Sequence, residues 1–340
     1  MSKKIQGDVV RNYLKRFPKM ADRTVARKIF TENKPLWTGE SAVYSRVRYY
    51  RGTHGKRNRA EIATLDHITK PEELNRNFMA EFDGIPAPVS EYINPWGPFL
   101  IVGAYKSLIL SDIHIPFHDP IALKAALDSG KRHGCNLIIF NGDTADCHGV
   151  SRFEKDPRFR NFPNEIKSIR QFLATVRAAF PNARIIWKDG NHDERYNSYL
   201  ISKAEELLGL EDYEWSNILQ LDKLGIEYVT DKRPIMLGKL PVIHGHEYQS
   251  GFVAPVNPAR GFFLRAKTHC LGGHHHQTSQ HSEKSLDGKV ISCWSTGCLA
   301  YLHPRYRPLN PYNHGFAEVE TATNGDFSAQ NYKILDGKIY

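Results

Sequence analysis

Five short apolar runs in this chain each stop at a cluster of Asp, Asn and His, and that recurrence limits the folds open to it. Residues 107–110 lead into Asp112-Ile113-His114, and residues 137–140 into Asn141-Gly142-Asp143-Thr144-Ala145-Asp146. Residues 184–187 lead into Gly190-Asn191-His192-Asp193, and residues 240–243 into His244-Gly245-His246. The segment at Leu271 leads into Gly272-Gly273-His274-His275-His276. Runs this short and apolar are strand length. Between them lie helical patterns at residues 121–132, 164–180, about 193–208 and 216–224. Strand–helix alternation predicts right-handed βαβ units and a parallel sheet. Groups just beyond the carboxyl ends of such strands converge on one crevice. The glycines let the backbone turn sharply there. Further on, a helix is expected at residues 258–267, followed by strands joined by Asp287-Gly288, Asn324-Gly325 and Asp336-Gly337. Those dipeptides are hairpin turns, so the second half should be more antiparallel.

Taken singly, each cluster has an ordinary reading. An Asp-x-His after a strand caps a helix, a Gly-Asn-His makes a turn, and a triple His is a loop that picks up metal by chance. Five in succession, all built from the same three residue types, point to a common purpose. Asp, Asn and His are the hard and borderline donors that suit Mn, Fe or Zn.

Charge is divided unevenly. The 340 residues hold 46 Lys/Arg and 37 Asp/Glu, a formal charge of +9. Residues 1–59 alone hold 16 basic and 4 acidic side chains, net +12, so residues 60–340 are net −3. Within the basic head, Val9, Val10, Tyr13 and Leu14 share one helical face, and the run stops at Phe17-Pro18. Asp22 is expected to cap a second helix, and Thr38 a third that carries Arg46, Arg48 and Arg51 and ends at Gly52. Lys56, Arg57 and Arg59 follow. Three short helices with a basic last one resemble a helix-turn-helix module, in which Arg46, Arg48, Arg51, Lys56 and Arg57 would meet nucleic-acid phosphates. The same pattern also suits a module that docks a protein partner. Residues 60–104, with five prolines, read as a connecting segment, and residues 105–340 as the main domain. No apolar run reaches the roughly 18–20 residues of a membrane helix, so no membrane partner is expected. The polar, basic start lacks the apolar stretch of a signal peptide. Five cysteines without a CxxC pair fit a reducing cytosol better than a disulfide framework or a thiolate zinc site.

The ordered set DxH, GDxxD, GNHD, H and GHxH resembles the calcineurin-like metallophosphoesterase superfamily over about residues 105–300. The resemblance implies an α/β fold, a mixed-sheet β-sandwich flanked by helices, here preceded by the three-helix module. It also implies two divalent ions, with Mn first in line and Fe, Zn, Ni or Co as substitutes. Asp112, His114 and His276 would hold one ion, Asn191, His244 and His274 the other, and Asp143 would bridge them. His192 would be the catalytic acid, and Asp146 the carboxylate that orients it. The reaction implied is hydrolysis of a phosphate ester in nucleic acid or nucleotides by a metal-activated hydroxide, and the resemblance also admits a homodimer. The other reading is a phosphatase or phosphodiesterase for a small molecule or phosphoprotein, with the head docking a partner.

Some positions depart from the pattern or leave a choice. The superfamily's phosphoprotein phosphatases carry Arg after GDxxD and Glu after GNH, where this chain has Cys147 and Asp193. The missing Arg argues against a Ser/Thr protein phosphatase, and Arg195 is a candidate replacement. His246 should support His244 rather than bind metal. His275 should face away if residues 271–276 are extended. Asp189 and Asp193 should orient neighbours. Arg152, Lys155, Arg158 and Arg160 form a basic loop that either is solvated or lines a path for an anionic substrate.

Overall fold

The structure, a computed structural model, describes residues 3–17, 20–51, 79–82, 85–88, 96–153, 156, 158, 160–248 and 256–340. Gly52, Lys56, Arg57, Arg59 and Lys155 lie outside these residues. The chain divides into two compact units, residues 1–95 and 96–340.

The first unit contains α1 (Lys3–Arg16), α2 (Asp22–Glu32) and α3 (Glu40–Tyr50), and an antiparallel hairpin of β1 (Met79–Phe82) and β2 (Ile85–Pro88). Its three helices close on Val10 and Leu14 from the expected face of α1, on Val25, Ala26, Ile29, Val43 and Val47, and on Trp37. Both expected caps differ. Ala21 occupies the N-cap of α2, and Asp22 sits in the first turn, 3.4 Å from Arg51 Nε. Gly39, not Thr38, occupies the N-cap of α3, and no side chain bonds there. Arg51 also donates to the carbonyl of Met20 at 2.6 Å, so this guanidinium braces the start of α2.

The second unit is built on two sheets. The first strand is β3 (Phe99–Ile101), which lies in what the sequence reads as a connecting segment. Three residues after Pro98 are too short a run to show strand periodicity, and pairing supplies what pattern does not. Then follow β4 (Tyr105–Leu110), α4 (Pro120–Arg132), β5 (Leu137–Asn141), α5 (Phe162–Ala179), β6 (Arg184–Lys188), α6 (Glu194–Lys203) and α7 (Trp215–Leu219). After these come β7 (Ile226–Val229), β8 (Ile235–Leu237), β9 (Leu240–Ile243), α8 (Pro258–Ala266) and β10 (Cys270–Gly272). The chain ends in β11 (Ser279–Lys284), β12 (Val290–Ser295), β13 (His314–Thr321), β14 (Phe327–Leu335) and β15 (Lys338–Ile339).

The seven-stranded sheet runs β15-β14-β13-β4-β5-β6-β7, and the six-stranded sheet β11-β12-β10-β9-β8-β3. Strands β4 to β7 are mutually parallel, as the βαβ pattern requires, while β13 to β15 are antiparallel hairpins. The later half is less antiparallel than expected, because β9, β10 and β12 pair in parallel.

Alternation assigns the two faces of the central strands. Ile109, Leu137, Ile139 and Ile186 meet Val242, Leu271 and Trp294 of the second sheet, forming the core between the sheets. Leu108, Leu110, Ile138, Phe140, Ile185 and Trp187 point the other way and are covered by residues of α4 and α5 such as Ala126, Ile169 and Leu173. A strand covered on both faces has no polar alternation to keep, which is why β5 reads as one apolar run.

Helix ends follow local chemistry. Asp119 caps α4, accepting from the amides of Ile121 and Ala122 at 2.9 and 2.8 Å, with Pro120 in the first turn. The helix expected over residues 193–208 stops at Lys203, and that over 216–224 shortens to α7, where Gln220 adopts a left-handed conformation at φ 60. Among the described residues no helix is long and apolar enough to cross a membrane.

Candidate metal centre

The loops after β4, β5 and β6 are laced to each other before any side chain meets. Asp112 N donates to Gly142 O at 3.1 Å, and His114 N to Asp143 O at 2.9 Å. Asp193 accepts from the amides of Asp143, Ala145 and Gly190 at 2.8, 3.0 and 2.8 Å, so one buried carboxylate pins two loops. Its expected task, orienting neighbours, is thus done on backbone. Asp189 accepts from Trp187 Nε1 and the Tyr228 hydroxyl.

Asp112, His114, Asp143, His274 and His276 all lie at positive φ, between 51 and 68. Non-glycine residues rarely occupy that region, and such conformations gather where surrounding structure holds a site together. They also show that residues 271–276 are not extended, since β10 ends at Gly272. His275 lies against Phe262, with ring centroids 5.6 Å apart.

The side chains converge in three groups whose donor atoms lie within 4.8 Å of one another: Asp112, His114 and His276; His114, Asp143 and His192; and Asp143, His244 and His274. His114 Nε2 and His276 Nε2 face each other at 3.2 Å, and His276 Nε2 lies 3.2 Å from Asp112 Oδ1. Asp143 Oδ2 lies 3.4 Å from His244 Nε2 and 3.8 Å from His114 Nε2, so this carboxylate sits between the first and third groups. Its other oxygen accepts from His192 N at 2.7 Å. His244 Nδ1 donates to Asn141 O at 2.8 Å, which turns Nε2 inward.

Buried charge here is held negative. Burial opposes ionisation of Asp112, but His276 beside it brings its pKa down to about 2. Asp143 is likewise buried, and His192 and His244 hold it well below the usual carboxylate range. For Asp146, burial is outweighed by hydrogen bonds from His114 and His192, and its pKa is lowered too. Burial depresses His244, yet Asp143 more than offsets it and lifts the imidazole to about 10. His274, by contrast, is pushed down to about 3 by burial and by the charge on His244. Buried carboxylates beside imidazoles form a pocket whose donor atoms could hold a cation.

Three donor atoms support the same fit: Asp112 Oδ1, Asn191 Oδ1 and His244 Nε2 are buried and make no hydrogen bond. An unpaired buried polar atom is costly, and metal coordination is one way of meeting that cost.

His192 stands on the open side. Its Nδ1 lies 3.0 Å from Asp146 Oδ1, and Arg195 Nη2 donates to its Nε2 at 2.8 Å. Asp146 also reaches His114 Nδ1 at 2.9 Å, so one carboxylate holds two imidazoles. Arg195 additionally donates to Asp146 O at 2.9 Å. His246 binds Glu194 at 3.0 Å.

Sequence reasoning passes over a buried pair beneath His244. Glu247 accepts from the amides of His244 and Gly245 at 2.8 and 2.6 Å, and Lys188 Nζ lies 2.8 Å from Glu247 Oε1. Lys188 ends an apolar strand and is 1% exposed, and a lysine at the end of such a run was the only available signal. Asn141 is a second omission: its amide donates to Ile243 O at 2.7 Å and ties β5 to β9. In the first unit, Arg46 and Arg48 are half-buried, and Arg48 lies 5.9 Å from the Tyr44 ring.

With fold and centre in view, comparison with known proteins gives the class. The family model described as calcineurin-like phosphoesterase matches residues 105–290, more than half of the chain, and the chain belongs to that family. Family membership implies divalent metal ions, for which the three groups are candidate holders. Among curated relatives, the Gene 54 protein of Mycobacterium phage D29 is 28% identical over 146 residues, covering 42% of this chain and 56% of the relative. The Gene 54 protein of Mycobacterium phage L5 is 27% identical over the same shares. The chain thus spans a little over half the length of these relatives.

Solved structures that match include Vacuolar Protein Sorting 29 from Cryptosporidium parvum, at 12% identity and TM-score 0.37 over 70% of this chain and 95% of that one. A dimetal phosphatase from Danio rerio matches at 11% identity and TM-score 0.33, over 67% and 95%. Yfce, a phosphoesterase from E. coli, matches at 13% identity and TM-score 0.30, over 66% and 98%.

Proposed function

We propose that this chain is a dinuclear-metal-dependent phosphoesterase that hydrolyses phosphate ester bonds in nucleic acid or nucleotides. The observation that carries the reading is the convergence of Asp112, His114 and His276 on one side of Asp143 and of His244 and His274 on the other. In this reading the first three hold one ion, Asn191, His244 and His274 hold the second, and Asp143 serves both. Mn²⁺ is the ion proposed, since oxygen and imidazole donors suit it. Bound ions of this kind activate water for attack, orient the phosphoryl oxygens and neutralise developing charge.

The chain's own groups do the rest. With its Nδ1 held by Asp146, His192 would donate a proton to the leaving oxygen from Nε2 once that nitrogen is protonated and Arg195 has turned from it to the phosphate. Arg195, beside His192 Nε2, offers its guanidinium to a phosphate oxygen and fills the role left open by Cys147. The nucleic-acid part of the reading rests on charge. Residues 1–59 carry net +12, and Arg46, Arg48, Lys56 and Arg57 are proposed to meet phosphates there, whereas Arg51, also expected to do so, is engaged by Met20 O and Asp22.

The test is a substrate panel with Mn²⁺: single- and double-stranded DNA, RNA, cyclic nucleotides and a phosphopeptide. Nucleic acid or nucleotide should be hydrolysed. Asp143→Asn should lower kcat by roughly 10³ or more, since several kcal/mol of charge stabilisation depend on the ions it holds. Equal rates in the two proteins would overturn the site assignment, and turnover of the phosphopeptide alone would overturn the substrate class.

A further inference from the structure

The open side of the centre is edged by aromatic rings and arginines that none of the roles above uses. Phe153 is 60% exposed, and its ring centroid lies 5.8 Å from Cζ of Arg195, the residue bonded to His192 Nε2. Arg152 lies 5.3 Å from the same ring. On a second loop lies Tyr306, which is 74% exposed. Its hydroxyl end is desolvated, hydrogen-bonds Tyr312, and lies close enough to feel the charges of Asp146 and Arg195. Tyr312 in turn packs on His276, with ring centroids 4.5 Å apart, and carries Arg307 at 5.6 Å. Arg305 Nη1 reaches Asp156 Oδ2 at 3.0 Å and ties the two loops together. Two loops therefore border the centre, one bringing Phe153 beside Arg195 and His192, the other bringing Tyr312 beside His276 with the exposed Tyr306 next to it.

Large exposed aromatic surface in water is unfavourable, so rings left open at the mouth of a site call for a ligand with a flat apolar face. Arginines beside them call for negative charge, and Arg also stacks on rings. Unpaired nucleotides combine both features: a phosphate for the guanidinium and a base for the ring. In a duplex the base faces are covered by their neighbours, so these rings would find nothing to stack on. A phosphopeptide supplies the anion but no regular flat face.

We propose that Phe153 and Tyr306, with Arg152 and Arg307, form a stacking subsite for unpaired bases flanking the scissile phosphate, which makes single-stranded nucleic acid the substrate of this centre. This rests on the phosphoesterase reading above and narrows its substrate.

The test uses the full chain and two variants, Phe153→Ala and Tyr306→Ala, and two substrates, (dT)12 and bis-p-nitrophenyl phosphate, with Mn²⁺. The second substrate carries the scissile diester without flanking nucleotides. The readout is the ratio of kcat/KM for (dT)12 to that for the small diester. Each variant should lower this ratio roughly tenfold, the scale of one lost base–aromatic stack. Anisotropy of fluorescein-labelled (dT)12, with Ca²⁺ replacing Mn²⁺, should show a matching loss of affinity. The basic first unit contributes equally to all three proteins, so the difference belongs to the rim. Wild-type protein that prefers duplex (dA)12·(dT)12, or variants with an unchanged ratio, would overturn the subsite while leaving the phosphoesterase reading intact. Wild-type protein that leaves both substrates uncut, yet loses affinity for (dT)12 in the variants, would overturn the phosphoesterase reading and uphold the subsite.

Discussion

A methyl group on residue 190 would sit 2.3 Å from Asp143 Oδ1 and 2.4 Å from Asp143 N. Both atoms are fixed, the first by the amide of His192 and the second by Asp193, so neither can yield cheaply. Gly190→Ala should therefore push Asp143 out of its place between His114 and His244. The expected result is a loss of Mn²⁺-dependent hydrolysis of bis-p-nitrophenyl phosphate of roughly 100-fold, the penalty of misplacing a reacting group by about an ångström. Far-UV circular dichroism should be unchanged, because no strand or helix passes through residue 190. Full activity in this variant would show that Asp143 is not needed where it stands. Gly142 obeys the same logic: its φ of +85 and a would-be contact of 2.3 Å to His244 Nδ1 leave room for nothing larger. At this scale the sequence is informative about identity and silent about direction. It shows Gly beside Asp and Asn, but not that Asp143 Oδ1 binds an amide while Oδ2 faces the imidazoles.

Helix α5 carries a titratable group into the core. Glu165, in its first turn, is buried against the loop of Cys147, His148 and Gly149, and one of its oxygens makes no hydrogen bond. Burial, reinforced by the charge of Asp146, lifts its pKa from 4.5 to about 7. Between those values the native state holds a proton that the unfolded chain has lost, so stability falls as pH rises through the window. Below about pH 4.5 both states are protonated and the contribution is complete; above about pH 7 it is gone. Glu165→Gln keeps the shape without the charge. Its stability advantage over wild type, measured by urea unfolding, should grow by about 3 kcal/mol between pH 4.5 and pH 8. Parallel curves for the two proteins would show that Glu165 is ionised throughout. Elements as such were largely readable: β4, β5 and β6 are apolar because both faces are covered, and α4 and α5 show clear stripes. What escaped depends on partners remote in sequence. Strand β3 exists through its pairing with β8, and Lys188 is tolerated inside because Glu247 and the carbonyl of Arg233 meet it.

The net charge of the whole chain, +9, conceals two opposite designs. The first 59 residues repel one another with +12, while the remainder, net −3, places Asp112 and Asp143 out of water beside the half-buried Asp146. Three carboxylates crowd one crevice, and their lowered pKa values show that the imidazoles around them outweigh both burial and that crowding. Divalent ions that bind the folded unit and not the unfolded chain would add to its stability, and the gain follows mass action. At Mn²⁺ a hundredfold above its dissociation constant the gain is about 2.7 kcal/mol. In a unit the size of residues 96–340 each kcal/mol moves the midpoint by about 2–4 °C, so the shift should be about 5–10 °C. Scanning calorimetry with Mn²⁺ and then with excess EDTA should show this fall in the transition of the second unit. The transition of the first unit, whose core holds none of these groups, should stay where it is. Asp143→Asn should show little response to either addition. A wild-type midpoint indifferent to EDTA would mean that the crevice is satisfied by its own imidazoles, and the cluster of Asp and His would then be a structural device rather than a seat for ions.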